Sequence, residues 1–405
     1  LERLAYILPL AACVYLIVSC WWVRSFFARA NSAGDRTGAE AWEARRPAVI
    51  GTDPVPPCTP VSVLKPVRGL DPGAYDNLSS FCRQDYEEYE VLFAAADPHD
   101  PVIPVIEQIA RESPPGRVRL ITGVPQPFAN PKVNSLAALT AAAVHPLLAI
   151  SDSDMRVDAT YLGRVTAPML DPEVGMVTCC YRGAAPVTMT AKLEALHMGV
   201  TFLPEVVVAR RFLDMHFALG ATMVVRREDL EDAGGWKAVG DFLAEDTLLA
   251  RQIRQRGKKV LLSDYIVDSY LGFTTWREQW HREVRWARTN RVNRPREYAG
   301  MLLTLPFPLA LVFLPLNLQG ALGWSVLAAA LVVRWATAWL ITGYTDNRAL
   351  RRWLAWLPLR DLLSAATWCA GVAGRTVVWR GQVHRLHPDG RLDPVCRIGQ
   401  IATDD

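Results

Sequence analysis

Three groups of residues, in one order along the chain, have the types and spacing to do chemistry. Ser151-Asp152-Ser153-Asp154 comes first, Ala244-Glu245-Asp246 second and Arg282-Glu283-Val284-Arg285-Trp286 third. Uncharged sequence of membrane-spanning length begins at Gly300. An Asp-x-Asp turn can hold Mg²⁺ or Mn²⁺ through Asp152 and Asp154, because such hard cations take carboxylate oxygens together with substrate phosphates. A bound cation of that kind can neutralise a departing diphosphate. Asp246 can take a proton from an attacking hydroxyl. The planar guanidinium groups of Arg282 and Arg285 suit bidentate phosphate contact, and Trp286 suits an interface or a stacking role. Each group also has a plainer reading. Asp-x-Asp is a common turn after a strand, acidic residues favour helix N-termini, and an Arg/Trp helix can lie on anionic headgroups.

Two further polar residues stand near strand ends. Asp97 follows the apolar run Glu90–Ala96, and Lys132 sits in Asn130-Pro131-Lys132-Val133-Asn134. Lys132 is the only lysine between Lys65 and Lys192, just ahead of an expected helix. It is either a solvated loop residue or a phosphate contact. The seven histidines are scattered and suggest neither a triad nor a zinc site.

The elements that must position these residues alternate. Val61–Lys65, Glu90–Ala96, Val118–Thr122 and Pro146–Ile150 read as strands. Tyr75–Arg83, a segment starting at Asp100-Pro101, and Asn134–Val144 read as helices. This alternation predicts an α/β domain with a mainly parallel sheet and helices on both faces, whose ligand lies beyond the C-terminal strand ends. Asp97 and Asp152 both fall there. Neither a dinucleotide fingerprint nor a P-loop is present. Thr190–Arg211 predicts an interfacial helix or a core helix.

Around that domain lie apolar segments. The 405 residues are 51% hydrophobic with mean hydropathy +0.10, which suits a soluble domain plus membrane segments. A net charge of +3 is too small to argue for a nucleic-acid partner. The eight cysteines show no metal-type spacing, as expected for thiols facing a reducing cytoplasm. Leu4–Val23 is uncharged and is followed by Arg24, Arg29, Arg36, Arg45 and Arg46. That asymmetry predicts a retained anchor with the next domain in the cytoplasm. Gly300–Val333 is long enough for two spans, with a break at Asn317-Leu318-Gln319-Gly320. A weaker last span is expected around Leu362–Trp379, and the tail after it is expected outside. Arg334, inside the third span, is either a snorkelling residue or a functional charge. The expected organisation is an anchor over residues 1–28, a linker over 29–60, the catalytic domain over 61–272, an amphipathic interfacial segment over 273–298, about three spans over 299–380 and a tail over 381–405.

As a set, Ala96-Asp97-Pro98, Asn130–Asn134, Ser151-Asp152-Ser153, Ala244-Glu245-Asp246 and Arg282-x-x-Arg285-Trp286 resemble the membrane-bound, family-2-like glycosyltransferases of the GT-A fold. The resemblance is nearest to the ceramide glucosyltransferase family and its bacterial relatives, which include hopanoid glycosyltransferases. It runs from Val61 through Gly381. It implies a GT-A domain with one N-terminal and about three C-terminal transmembrane helices. In that family the residue matching Asp97 contacts the nucleotide base, and Asp152 falls in the diphosphate and metal region. Asp246 matches the base, and the Arg-x-x-Arg-Trp segment closes over diphosphate and acceptor. The implied reaction is inverting transfer of glucose or N-acetylglucosamine from a UDP-sugar to a hydroxyl of a membrane lipid, ceramide or hopanoid, at the cytoplasmic face. The implied location is a bacterial inner membrane. Arg282 stands where many processive synthases carry glutamine, which argues against a polymerase. Asp154 has no counterpart in the eukaryotic ceramide enzymes, which leaves the acceptor open. A processive polysaccharide synthase and a non-catalytic membrane scaffold are the alternatives.

Overall fold

The computed structural model describes residues 2–34, 59–212, 215–379 and 382–397. Most of the expected linker, residues 35–58, and the end of the tail, residues 398–405, lie outside the described residues. The chain divides into two units. One comprises residues 29–184 and 212–271, and the other residues 1–28, 185–211 and 272–405.

The first unit is built on an eight-stranded sheet in the order β3-β2-β1-β4-β7-β6-β8-β5. The strands are β1 Val61–Val67, β2 Tyr89–Ala95, β3 Val118–Thr122, β4 Leu147–Ser151, β5 Met155–Arg156, β6 Val174–Pro186, β7 Thr222–Arg226 and β8 Lys259–Gly272. The four strands expected from sequence are β1 to β4, and they pair in parallel. Beyond β4 the sheet changes character. β7 runs antiparallel to β4, β6 antiparallel to β7, and β5 antiparallel to β8. The sheet is therefore mixed rather than mainly parallel. β1, β2 and β4 are buried along nearly their whole length, as strands covered on both faces are, whereas β8 alternates buried and partly exposed residues over most of its length.

Phe81, Phe93, Ala149, Tyr161, Val224 and Tyr265 belong to one buried core. Tyr161 meets Phe81 and Tyr265 edge-on, at ring centroid distances of 5.5 and 5.4 Å. Fully burying such a side chain contributes about 1.5–3 kcal/mol. The helix expected at Asp100-Pro101 starts later, at Ile103. The Asp100 carboxylate serves two places: Oδ1 accepts the Val102 N–H just ahead of the helix at 3.0 Å, and both its oxygens accept the Gly69 N–H, at 3.0 and 2.9 Å. Gly69 has φ +72°, a conformation that costs glycine little. This contact ties the loop after β1 to the loop after β2.

The second unit contains the helical stretches Ile7–Ala28 and Ala321–Tyr344, both long and apolar enough to cross a membrane. Between them Pro295–Thr304 and Pro306–Asn317 form a pair bent by 77°, either a broken span or a re-entrant loop. The break after Asn317 falls where the sequence predicts it, and the next helix begins at Ala321. The segment expected as one helix over Thr190–Arg211 forms Met189–His197, a π-helical turn Met198–Phe202 and Leu203–Phe212.

The last expected span differs from its reading. Helix Leu357–Val372 has 16 residues, and Thr376–Trp379 is β9 of a three-stranded sheet completed by β10 Gln382–Leu386 and β11 Leu392–Arg397. β9 and the turn before it pack on helix Trp276–Asn293. The Arg285 guanidinium lies 5.7 Å from the Trp379 ring, Arg288 donates to the Ala373 carbonyl at 3.1 Å and to that of Thr376, and Arg291 donates to the Gly374 carbonyl at 3.0 Å. Thr376–Trp379, read from the sequence as the end of the last span, is thus a strand packed on the Arg/Trp helix.

Candidate active site

The site in the first unit begins at the C-terminal ends of β1 and β4. Lys65, in β1, is fully buried. Its ammonium donates to the Asp152 backbone carbonyl and lies 3.7 Å from the centre of the Phe81 ring. Burial pulls its pKa down to about 7, against the opposing pull of Asp152, Asp154 and Asp71. The Ser153 hydroxyl donates to Asp71 Oδ2 at 2.6 Å. The Asp-x-Asp turn is therefore braced from the loop after β1.

Asp152 and Asp154 face different partners. Asp152 Oδ1 pairs with Lys132 Nζ at 2.7 Å. Asp154 Oδ2 accepts from the Ser269 hydroxyl at 3.2 Å. Burial, Asp152 and Asp71 push the Asp154 carboxyl up to about 6. An all-oxygen donor set suits a hard divalent cation, which needs only one or two carboxylates when phosphate oxygens complete its shell. Among the described residues no group of three or more His, Cys, Asp or Glu side chains could hold a metal.

Lys132 is not a loop residue. It lies in the first turn of helix Pro131–Ala142, whose N-cap Asn130 accepts the Lys132 and Val133 N–H groups at 2.9 and 3.2 Å. The Asn130 amide donates onward to the Phe242 carbonyl at 2.8 Å and to Glu245 Oε2 at 3.1 Å. Lys132 Nζ also meets Glu245 Oε1 at 3.1 Å and donates to the Gly220 carbonyl at 3.3 Å. Burial opposes its charge, but Asp152 and Glu245 outweigh that and hold the ammonium above its ordinary range.

Asp246, in the first turn of helix Glu245–Gln255, accepts the Gly220 N–H at Oδ2, 2.8 Å away. Burial and neighbouring Glu245 raise its pKa to about 6, and Lys132 moderates the rise. Gly220 joins the parts. A Cβ there would lie 2.8 Å from Lys132 Nζ, 3.3 Å from Asp246 Oδ2 and 3.9 Å from Asp152 Oδ2. Three candidates drawn from three distant sequence segments thus surround one residue without a side chain.

Asp97 lies at the expected end of β2 and is exposed, its Oδ1 accepting the His99 N–H at 2.8 Å. Arg282, Arg285 and Trp286 belong to the second unit, on helix Trp276–Asn293. Arg282 pairs with the buried Glu194. Arg288 and Arg291 of the same helix hold the backbone before and within β9. Sequence reasoning missed Lys65, Asp71, Glu194 and the bridging role of Glu245. Asp71 follows β1 as Asp97 follows β2, so the strand-end rule could have found it. Lys65 is a charge inside an apolar strand, which is itself a signal. Glu245 was visible only as a helix-start residue.

The chain is a glycosyltransferase. It belongs to glycosyl transferase family 21, whose family model matches residues 4–392. It is 24% identical over 346 residues to ceramide glucosyltransferase 3 of Caenorhabditis elegans, covering 82% of this chain and 74% of that protein. With ceramide glucosyltransferase 1 of the same nematode it shares 29% over 215 residues, 53% of this chain and 46% of that one. Among solved structures it is similar to the mannosyltransferase PcManGT from Pyrobaculum calidifontis, in complex with GDP-Man and Mn2+. That likeness has a TM-score of 0.47 and 17% identity, covering 90% of this chain and 97% of that one.

Proposed function

We propose that the chain is an inverting GT-A glycosyltransferase that moves glucose or N-acetylglucosamine from a UDP-sugar to a hydroxyl of a membrane lipid, ceramide or hopanoid. The observation that carries this reading is Asp246. It is a carboxylate with a pKa near 6, anchored by the Gly220 N–H and grouped with Lys132 and Asp152. A base with that pKa is ionised at neutral pH yet strong enough to accept a hydroxyl proton as the oxygen attacks the sugar. In one displacement the lipid oxygen bonds to the anomeric carbon, the sugar–phosphate bond breaks, and UDP leaves with the electron pair.

Lys132, held in place by Asp152 and Glu245, supplies positive charge for the departing diphosphate. Asp152 and Asp154 would hold Mg²⁺ or Mn²⁺, which supplies further charge neutralisation to the same phosphates. Asp97 is assigned to the nucleotide base, and Arg282, Arg285 and Trp286 to the diphosphate and the acceptor. The arginines after the first apolar helix favour a cytoplasmic catalytic unit, and the contact of β9 with helix Trp276–Asn293 favours the same side for the tail. Helices able to span a bilayer make sense for an acceptor that never leaves it. The test is expression in a host supplied with ceramide or a polyol hopanoid, followed by lipid extraction and mass spectrometry. A new hexosyl or N-acetylhexosaminyl lipid supports the reading, and unchanged lipid profiles with well-expressed protein overturn it.

A further inference from the structure

The unit that carries the apolar helices has its own buried polar cluster. Glu194 and His197 come from helix Met189–His197, and Arg360 and Ser364 from helix Leu357–Val372. Helix Trp276–Asn293 contributes Gln279, Arg282 and Glu283, whose i, i+3, i+4 spacing puts them on one face. Part of the cluster is fully paired. Glu283 receives two bonds from Arg360, at 2.6 and 2.7 Å, and one from the Gln279 amide at 2.9 Å. Arg360 also donates to the Ser364 hydroxyl, at 3.2 and 3.0 Å.

What remains unpaired is specific. Glu194 Oε1, Gln279 Oε1, His197 Nδ1 and Arg282 Nε are buried with no hydrogen-bond partner. Glu194 is 0% exposed and Gln279 1%. Native proteins leave few such atoms, and each calls for a water, an ion or a ligand. Arg282 and Arg360 offset the carboxylates of Glu194 and Glu283, so no net positive charge is left over to draw an anionic group into the cluster. Two acceptor oxygens beside a guanidinium N–H complement a neutral group bearing O–H or amide N–H donors and an acceptor oxygen.

We infer that Glu194 and Gln279, beside Arg282, form the subsite that takes the neutral hydroxyl- or amide-bearing headgroup of the lipid acceptor. This rests on the lipid-acceptor reading above. Burial pushes the Glu194 carboxyl up to about 7 despite Arg282, as suits a group lacking part of its hydrogen-bond complement.

The experiment uses the full chain in nanodiscs with UDP-glucose or UDP-N-acetylglucosamine. The acceptor probes are short-chain ceramide, its analogue lacking the secondary hydroxyl, and a polyol hopanoid. Gln279→Met keeps the side chain's length and removes the unpaired oxygen together with the amide bond to Glu283, whose two bonds from Arg360 remain. The expected result is an acceptor KM raised about tenfold, the scale of one lost hydrogen bond, with UDP affinity by calorimetry unchanged. Wild-type preference for the hydroxylated acceptor over its deoxy analogue is also expected to fall. Glu194→Gln, read in the same way, keeps the test decisive if Gln279→Met does not fold. Wild-type acceptor KM and preference in both variants would mean that water alone satisfies these atoms, and would overturn the subsite. If the wild-type protein glycosylates none of the lipids while still binding UDP, the lipid-acceptor reading itself fails and the subsite falls with it.

Discussion

Lys132 Nζ lies 2.7 Å from Asp152 Oδ1, a distance that joins the start of one helix to the end of a buried strand. The same ammonium meets Glu245 at 3.1 Å, beside the proposed base. One cation therefore links the expected metal turn to the expected proton acceptor, and its removal strands two carboxylates.

Lys132→Met is expected to lower the thermal unfolding temperature of the detergent-solubilised protein, since it strands the buried Glu245 carboxylate and removing one partner of a buried pair costs about 3–5 kcal/mol. Adding Glu245→Gln should recover part of that loss. Contacting residues couple by roughly 0.5–3 kcal/mol, and strictly additive effects of the two substitutions would refute the linkage.

Asp246→Asn is expected to cut turnover by roughly 10²–10⁴-fold while UDP-sugar binding by calorimetry survives. In the wild-type enzyme kcat/KM should fall as pH drops through about 6, where the Asp246 carboxyl takes up its proton. A rate flat from pH 5 to 8, with the protein still folded, would remove Asp246 from the role of base.

Activity is expected to vanish on exhaustive EDTA treatment and to return with Mn²⁺ or Mg²⁺. Asp152→Ala and Asp154→Ala should each weaken metal-dependent UDP binding. Asp154 has a second, opposite signature. Its folded pKa of about 6 lies above its ordinary value, so its contribution to stability is present at low pH and lost as pH rises through 6. Asp154→Asn should accordingly raise the unfolding temperature of metal-free protein at pH 7.5, by at most about 3 kcal/mol of stability, even as it damages cation binding. Destabilisation at that pH would show the charge to be already compensated.

Topology gives the last expectation. In a cysteine-free background, single cysteines at Gln382 and at Ser153 should both resist a membrane-impermeant thiol reagent on intact cells and react after permeabilisation. Gln382 is exposed at the start of β10, next to the strand that packs on the Arg/Trp helix. Labelling of Gln382→Cys on intact cells would put the tail outside.

The sequence alone determined the parallel half of the sheet, because Val61–Val67, Tyr89–Ala95 and Leu147–Ser151 are mostly apolar and end in polar loops. It also determined the apolar helices that include Leu4–Val23 and the run from Ala321 to Val333, whose uncharged stretches are too long for an ordinary soluble helix face. Asp97, Asp152 and Asp246 could be singled out because strand ends and helix starts are local features. The tertiary structure decided what meets what. No periodicity could bring Gly220 between Lys132, Asp152 and Asp246, for these residues lie on separate segments that only strand pairing and helix packing assemble. No composition could raise a carboxyl to about 6, because that shift comes from burial and neighbouring charge. Helix Leu357–Val372 ends before β9 for the same kind of reason. Backbone carbonyls at Ala373, Gly374 and Thr376 are held by arginines from far upstream, a contact invisible to any window of local hydropathy.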